Sequence, residues 1–371
     1  MSFFSSIPQE PEDPIYGLQV VFKNDPRPDK LNLSIGVLPG KKGAMRFQAI
    51  EKAAQKVQEN GPGFEYLPID GLVDFREAAT ELIFGTKVNI YTAQTVGGTA
   101  ALCVGAQLLR SQLTSKIAIP DPTWVNHRRL FEAHGLHVTS FAYHAAPDGS
   151  LDTTSYLASL DRLQERSCVV LQASCHNPTG LDPTMDQWKM LLSKIQQKKL
   201  IPFFDIAYQG VGLGIEEDAA AIRLFYEAGC EMLVASSFSK NFGLYGERVG
   251  TLSVVTKSPL QPLSSQIRKI IRSLYSSPAA HGARLAAMCL KEPALFGLWK
   301  DEIEMTQCQI KEKRKLLASS LQQKGLHTMA TNVLKSTGES IRHRSQSAKE
   351  NLKIFLQIRL QKKQKIKTRI L

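Results

Sequence analysis

Five short strand-like runs recur between Thr95 and Gly250: Ile117-Ala118-Ile119, Val138 to Phe141, Cys168 to Ala173, Leu200 to Phe204 and Met232 to Ala235. Helical spacing fills the gaps between them, as in Asp186 to Gln197. Each run is bounded and too short for a helix, and all but Val138 to Phe141 are largely apolar without alternation, which is how a strand buried on both faces reads. Alternation of this kind folds into an α/β architecture, a mostly parallel central sheet covered by helices. Ligands of such sheets sit outside the carboxyl ends of the strands. Residues with useful chemistry gather there: Asp121 and Trp124 after one run, Asn177 after another, Asp205 and Tyr208 after a third, Lys240 after a fourth.

The last of these strand ends leads into Ser236-Ser237-Phe238-Ser239-Lys240-Asn241-Phe242-Gly243-Leu244-Tyr245-Gly246-Glu247-Arg248-Val249-Gly250. Its glycines permit sharp turns. Two hydroxyls precede the lysine and a guanidinium follows it, a set that suits a phosphate lying beside an amine. Pyridoxal phosphate needs both, an amine for a Schiff base and separate groups for its phosphate. A solvated lysine in a Gly/Ser loop has the same local sequence. Val96-Gly97-Gly98-Thr99 opens an Ala/Leu helix, another place where backbone N–H groups can take a phosphate.

Length and charge narrow the classes. A chain of 371 residues holds two or three domains of ordinary size. The formal charge of +12 is uneven: from Thr331 onward eleven Lys and Arg face two acids, so the body carries only +3. A specific nucleic-acid partner for the whole chain is therefore not expected. The six cysteines are scattered, with no C-x-x-C pair and no zinc spacing, so reduced core thiols and no metal site are expected. No apolar run approaches the ~18 residues that cross a bilayer, and the N-terminus is too short for a signal h-region. A soluble cytoplasmic protein is the expectation, without a membrane partner.

Outside the alternating region, residues to about Lys30 form a proline-rich arm with one short helix, and its apolar side chains in Asp13-Pro14-Ile15-Tyr16-Gly17-Leu18 call for a partner surface. Leu31 to Val37 alternates as a short strand. Gln48 to Asn60 has helical spacing and stops at Asn60-Gly61-Pro62-Gly63. Glu292 to Gln323 reads as one long amphipathic helix. The last forty-one residues contain no Trp, Tyr, Pro or Cys and a single glycine, Gly338.

Residues 1 to about 325 resemble class I aspartate aminotransferases, dimeric pyridoxal phosphate enzymes. The resemblance rests on the Asp13 to Leu18 window, Glu65-Tyr66-Leu67-Pro68-Ile69-Asp70-Gly71, Gly97-Gly98-Thr99, His176-Asn177-Pro178-Thr179-Gly180, Phe204-Asp205-Ile206-Ala207-Tyr208-Gln209-Gly210 and the lysine stretch. It implies a fold-type-I transferase that forms a homodimer and acts on amino acid and 2-oxo acid substrates. Lys240 is then the Schiff-base lysine and acid/base, Asp205 the partner of the pyridine nitrogen, and His127 the histidine behind that aspartate. Asn177 and Tyr208 would bind the phenolic oxygen, and Trp124 would stack on the ring. Gly98, Thr99, Ser237, Ser239 and Arg248 would take the phosphate, with Tyr66 reaching across from the second subunit. Gly36 would lie against substrate, and Arg272 would bind its distal carboxylate across the dimer interface. The implied division is an arm over 1–32, a large cofactor domain over 33–305, and the start of a small α+β domain over 306–330.

Members of that family continue past the point matching Gly325 with a sheet-containing small domain, including a second arginine for the substrate α-carboxylate. Nothing here matches that segment, so the small domain reads as incomplete, and none of Arg342, Arg344 and Arg359 sits in the family's context for the role. Residues 331–371 read as an aberrant basic tail, disordered after a frameshift or truncation. They also read as a divergent tail for an acidic partner, membrane or RNA, or as a replacement helix using Leu352, Phe355, Leu356 and Leu360. The implied activity is transfer of an amino group between aspartate and 2-oxoglutarate. A cofactor-binding but impaired remnant and an aromatic-amino-acid transaminase are the alternatives.

Overall fold

The computed structural model describes residues 2–11, 16–28, 30, 36–40, 43–146 and 148–337. The chain divides into two compact units, Met1–Met45 and Arg46–Leu371.

The first unit holds helix α1 (Tyr16–Asn24) and a two-stranded antiparallel pair, β1 (Pro39–Gly40) and β2 (Gly43–Ala44). Lys30 closes α1, its Nζ donating to the carbonyls of Phe22 at 2.8 Å and Asp25 at 2.6 Å, where a cation also suits the helix dipole. Leu18, Val20 and Val21 are exposed on this unit. Most of the strand expected over 31–37 falls on residues outside those described.

The second unit contains the alternation. In chain order it runs α2 (Gln48–Asn60), α3 (Val73–Phe84), β3 (Ile90–Val96), α4 (Gly97–Leu108), β4 (Lys116–Asp121), α5 (Asn126–Ala133), β5 (His137–Ala142), α6 (Thr153–Asp161) and β6 (Cys168–Gln172). It continues through α7 (Met185–Gln197), β7 (Ile201–Ile206), α8 (Ala220–Glu227), β8 (Met232–Ser237), β9 (Val249–Val255), α9 (Leu260–Leu274), α10 (His281–Lys291), α11 (Pro293–Gln322) and α12 (His327–Lys335).

Seven strands form one sheet in the order β3-β9-β8-β7-β6-β4-β5. The neighbours from β8 to β5 are parallel, while β9 runs antiparallel between β3 and β8. The five strands read from sequence are β4 to β8; β3 and β9 escaped that reading.

Successive side chains of a strand point to opposite faces, and here both faces are covered. Val169 and Leu171 of β6, Phe204 of β7 and Val234 of β8 pack with Trp188 and Leu191 of α7 and Phe225 of α8. Their neighbours Cys168, Val170, Phe203 and Leu233 pack on the other side with Leu102 and Val104 of α4, Phe131 of α5 and Ile267 of α9. This two-sided burial is why the runs of β6, β7 and β8 are so largely apolar, whereas β5, at the edge of the sheet, is mostly exposed or half-buried.

α11 is a single 30-residue helix that passes residue 305 without a break. Glu302, buried on it, accepts from the backbone N–H of Gln48 at 2.7 Å and Ala49 at 3.0 Å and so caps α2, whose own preceding residue Phe47 offers no side-chain cap. α12 carries helical structure past residue 331 and packs on α11 through Ala318, Leu321, Ala330 and Val333. Among the described residues no helix is long and apolar enough to cross a membrane. All six cysteines are free thiols.

Candidate active site

The lysine loop leaves β8 at Ser237 and returns as β9 at Val249. Three aromatic contacts anchor it: Phe238 meets Phe75 of α3 edge-on at 4.9 Å, Phe238 also meets Phe242 at 5.1 Å, and Phe242 stacks on Trp299 of α11 at 4.5 Å. Trp299 Nε1 donates to the carbonyl of Asn241 at 2.8 Å, beside the lysine itself. Lys240, half-buried, thus projects from a loop held on both flanks. Its Nζ lies 5.8 Å from the ring centroid of Tyr208 and 5.4 Å from that of Tyr245.

A cradle of donors forms where α4, the lysine loop and the start of β9 meet. α4 has neither a side-chain cap nor an acidic residue in its first turn, so its leading N–H groups have no anionic neighbour of their own on that helix. Gly97 takes φ +77°, and a Cβ there would lie 2.5 Å from Arg248 Nη2. A Cβ on Gly250 would lie 2.6 Å from both the Gly97 carbonyl carbon and the Ser236 oxygen. Only glycine lets these backbones approach so closely.

Arg248 Nη1 donates to Ser239 Oγ at 3.3 Å and to the Tyr245 carbonyl at 3.0 Å, and Ser239 N donates to Ser237 Oγ at 3.3 Å. Arg248 itself is a non-glycine residue at φ +55°, a sparsely populated conformation that a surrounding structure has to enforce. Two hydroxyls, a guanidinium and a helix N-terminus therefore converge, as binding a phosphate dianion requires. Gly98 and Thr99 lie in that first helical turn.

Asp205 is the last residue but one of β7, paired with Gln172 of β6 and Ala235 of β8. Its Oδ2 sits 3.2 Å from Nε2 of the fully buried His127, whose Nδ1 is 2.7 Å from Thr123 Oγ1. Gln172 Nε2 donates to that same hydroxyl at 3.3 Å. The His127–Asp205 pair holds the carboxylate in a fixed orientation. Trp124 meets His127 edge-on at 5.3 Å.

Gln172 also grips Asn177: its Oε1 accepts from Asn177 N at 2.8 Å and its Nε2 donates to Asn177 O at 3.1 Å. Neither Thr123 nor Gln172 was singled out from sequence; each is an ordinary polar residue until the fold brings it beside His127 and Asn177.

The neighbouring His176 is fully buried, stacks on Tyr143 at 3.8 Å, and is pushed down to about 3 by burial, so it is neutral. The remaining candidates are exposed. Tyr66 is 94% exposed, and Arg272, also exposed near the end of α9, donates to Ser276 Oγ. Gly36 is exposed in the first unit. Among the described residues no cluster of His, Cys, Asp or Glu could hold a metal ion.

The family model "Aminotransferase class I and II" matches residues 28–338, so the likeness runs past residue 325. The aspartate aminotransferase of Pseudomonas aeruginosa is 42% identical over 332 residues, covering 86% of this chain and 83% of the relative. That of Escherichia coli is 39% identical over 345 residues, covering 90% and 87%. Among solved structures, an aromatic-amino-acid aminotransferase from Burkholderia pseudomallei, covalently bound to pyridoxal phosphate, superposes with a TM-score of 0.87 at 38% identity, covering 91% of this chain and 87% of that one. With a family model over residues 28–338 and relatives about 40% identical over most of its length, the chain belongs to the class I and II aminotransferases.

Proposed function

We propose that the chain is a pyridoxal-phosphate-dependent transaminase that moves an amino group between aspartate and 2-oxoglutarate. The observation that carries this reading is the convergence of the Gly97–Ser239–Arg248 cradle, Lys240 and the His127–Asp205 pair on one end of the sheet. Bound there, the cofactor supplies a carbonyl carbon that condenses with amines and a pyridine ring that withdraws electrons from them.

The protein's own groups do the rest. Arg248, Ser237, Ser239 and the N–H groups of Gly98 and Thr99 would hold the phosphate. Asp205, steadied by His127, would keep a proton on the ring nitrogen, since an anion beside that nitrogen favours its charged form. Asn177 and Tyr208 would hydrogen-bond the phenolic oxygen, and Trp124 would cover one ring face. Lys240 would hold the cofactor and, once displaced by substrate, carry a proton between the substrate Cα and the cofactor's C4′ carbon.

The exposure of Tyr66 and Arg272 supports a homodimer in which each reaches the partner's site, one to the phosphate and one to the distal substrate carboxylate. Gly36 would border the substrate. A cofactor domain over about 33–305, a small domain drawn from both chain ends and a cytoplasmic location belong to the same proposal, the free cysteines suiting a reducing compartment.

The test uses the full chain: apo protein titrated with pyridoxal phosphate should develop a visible band that Lys240→Ala lacks, and the loaded protein should form oxaloacetate from aspartate. A band without turnover sinks the transaminase reading and leaves a cofactor-binding remnant; no band sinks both. The aromatic likeness of the Burkholderia structure favours a second reading, phenylalanine as donor. Comparing kcat/KM for the two donors decides it.

A further inference from the structure

We infer that Thr337, just past α12, is a positioning residue for the active-site loop that carries Asn177, acting through Asp182. The inference rests on the role proposed above for Asn177 and goes beyond it, because it ties that role to the chain's C-terminal side.

The loop between β6 and α7 has a strained point. Cys175, buried and not a glycine, sits at φ +53°, two residues before Asn177. A conformation of that kind persists only where neighbours enforce it. Gln172 holds one flank of the loop through both backbone groups of Asn177.

The Asp182 carboxylate holds the other. Its Oδ2 accepts from Cys175 N at 2.7 Å and its Oδ1 from His176 N at 2.8 Å, which pins the strained residue and the one after it. The third donor to this carboxylate comes from far along the chain: Thr337 Oγ1 lies 2.5 Å from Asp182 Oδ2. The same residue donates its N–H to the Gly180 carbonyl at 2.6 Å, and its hydroxyl lies 3.0 Å from that oxygen. One residue therefore grips both the carboxylate that fixes the loop and the backbone of the loop itself.

Burial opposes ionisation of Asp182, and the three donors, with Arg314 of α11 nearby, favour the carboxylate; Asp218 is the like charge that faces the same pocket. Removing the hydroxyl takes away one of the groups that keep the carboxylate in place. Thr337 is carried to this spot by α12, whose Ala330 and Val333 are seated against α11. Seating of α12 is thus transmitted to Asn177 through two side chains.

The experiment compares Thr337→Val, which keeps shape and loses the hydroxyl, with Thr337→Ser, which keeps the hydroxyl, and with Ser336→Ala as a neighbouring control, all in the full chain. Amide exchange is read first without cofactor. In Thr337→Val the amides of Cys175 and His176 should exchange about five- to tenfold faster, the effect of one lost hydrogen bond, while β7 and β8 amides keep their protection. Thr337→Ser should restore the original rates, and Ser336→Ala should leave them unchanged.

The second readout is the pH midpoint at which the bound cofactor's visible absorption changes. It should rise by about half a unit to one unit in Thr337→Val as the Asn177 contact to the phenolic oxygen weakens. Unaltered exchange overturns the inference, as does faster exchange with an unmoved midpoint. Exchange is decided without cofactor, so failure of Lys240 to take any pyridoxal phosphate counts against the transaminase reading alone.

Discussion

Gly97→Ala tests the phosphate cradle with a single methyl group. Gly97 sits at φ +77°, so an alanine there costs about 1–2 kcal/mol of conformational energy, felt with or without ligand. The new Cβ would also lie 2.5 Å from Arg248 Nη2 and 2.9 Å from its Cζ, so the guanidinium has to move. If Arg248 binds the phosphate, its displacement removes a charge-assisted contact of about 1.5–3 kcal/mol, or roughly 10- to 150-fold in Kd.

The apo chain, titrated with pyridoxal phosphate and followed by absorbance, should show that loss. Pyridoxal, which lacks the phosphate, should bind Gly97→Ala and wild type alike. Because the methyl acts through Arg248, the double variant Gly97→Ala/Arg248→Ala should bind no more weakly than Arg248→Ala, a non-additive result. Wild-type affinity in Gly97→Ala, or equal losses for pyridoxal and its phosphate, would refute the assignment of Arg248 to the phosphate.

Three further outcomes follow from the geometry. Glu302→Ala orphans two N–H groups at the start of α2 and should lower unfolding free energy in urea by about 2–3 kcal/mol, with Glu302→Gln in between and cofactor affinity of the folded protein unchanged. His176 has its pKa depressed in the fold, so the unfolded chain takes up the proton first as pH falls below about 6.5 and stability is lost on the acid side. Relative to the non-titrating His176→Gln, wild type should lose about 2–3 kcal/mol between pH 7 and pH 4.5, read from denaturant midpoints; a constant gap contradicts a neutral buried histidine. Arg272→Ala should cut kcat/KM for aspartate by roughly 10- to 150-fold and leave phenylalanine nearly untouched, and equal losses for both donors remove the arginine from carboxylate recognition.

Most of the strands legible in the sequence are buried between two apolar layers; the edge strand β5 is the exception. Cys168 to Gln172 and Met232 to Ser237 read as strands because both faces pack against helices. β3 and β9 are buried just as deeply, yet Thr92, Gln94, Thr95, Thr251 and Ser253 interrupt their apolar pattern. Two of these side chains pair inside: Thr92 Oγ1 lies 2.8 Å from Ser253 Oγ and 2.7 Å from Thr80 Oγ1 of α3. A polar ladder of this kind is invisible to a hydrophobic pattern, because its partners come from segments far apart.

The site divides in the same way. Lys240, Asp205 and Asn177 stand at strand ends and could be found there. Thr123 and Gln172 matter only through contacts that tertiary packing creates, and no local spacing announces them. The α12 helix also went unread, since its nine residues carry too few apolar positions to signal a helix before the α11 surface is there to receive them.

The approach of Gly250 to Gly97 has a consequence for assembly. β9 reaches its place only after β8 and the lysine loop are laid down, and it then pairs with β3, which was made some 150 residues earlier in the chain. The cradle therefore comes into being with the closing of that strand between its two neighbours, a non-local and correspondingly late event. A ligand that needs the closed cradle cannot stabilise anything less complete, so pyridoxal phosphate in excess should raise the unfolding temperature of finished molecules and leave unfinished ones unprotected. The cofactor becomes a gauge of which molecules in a preparation have completed their sheet.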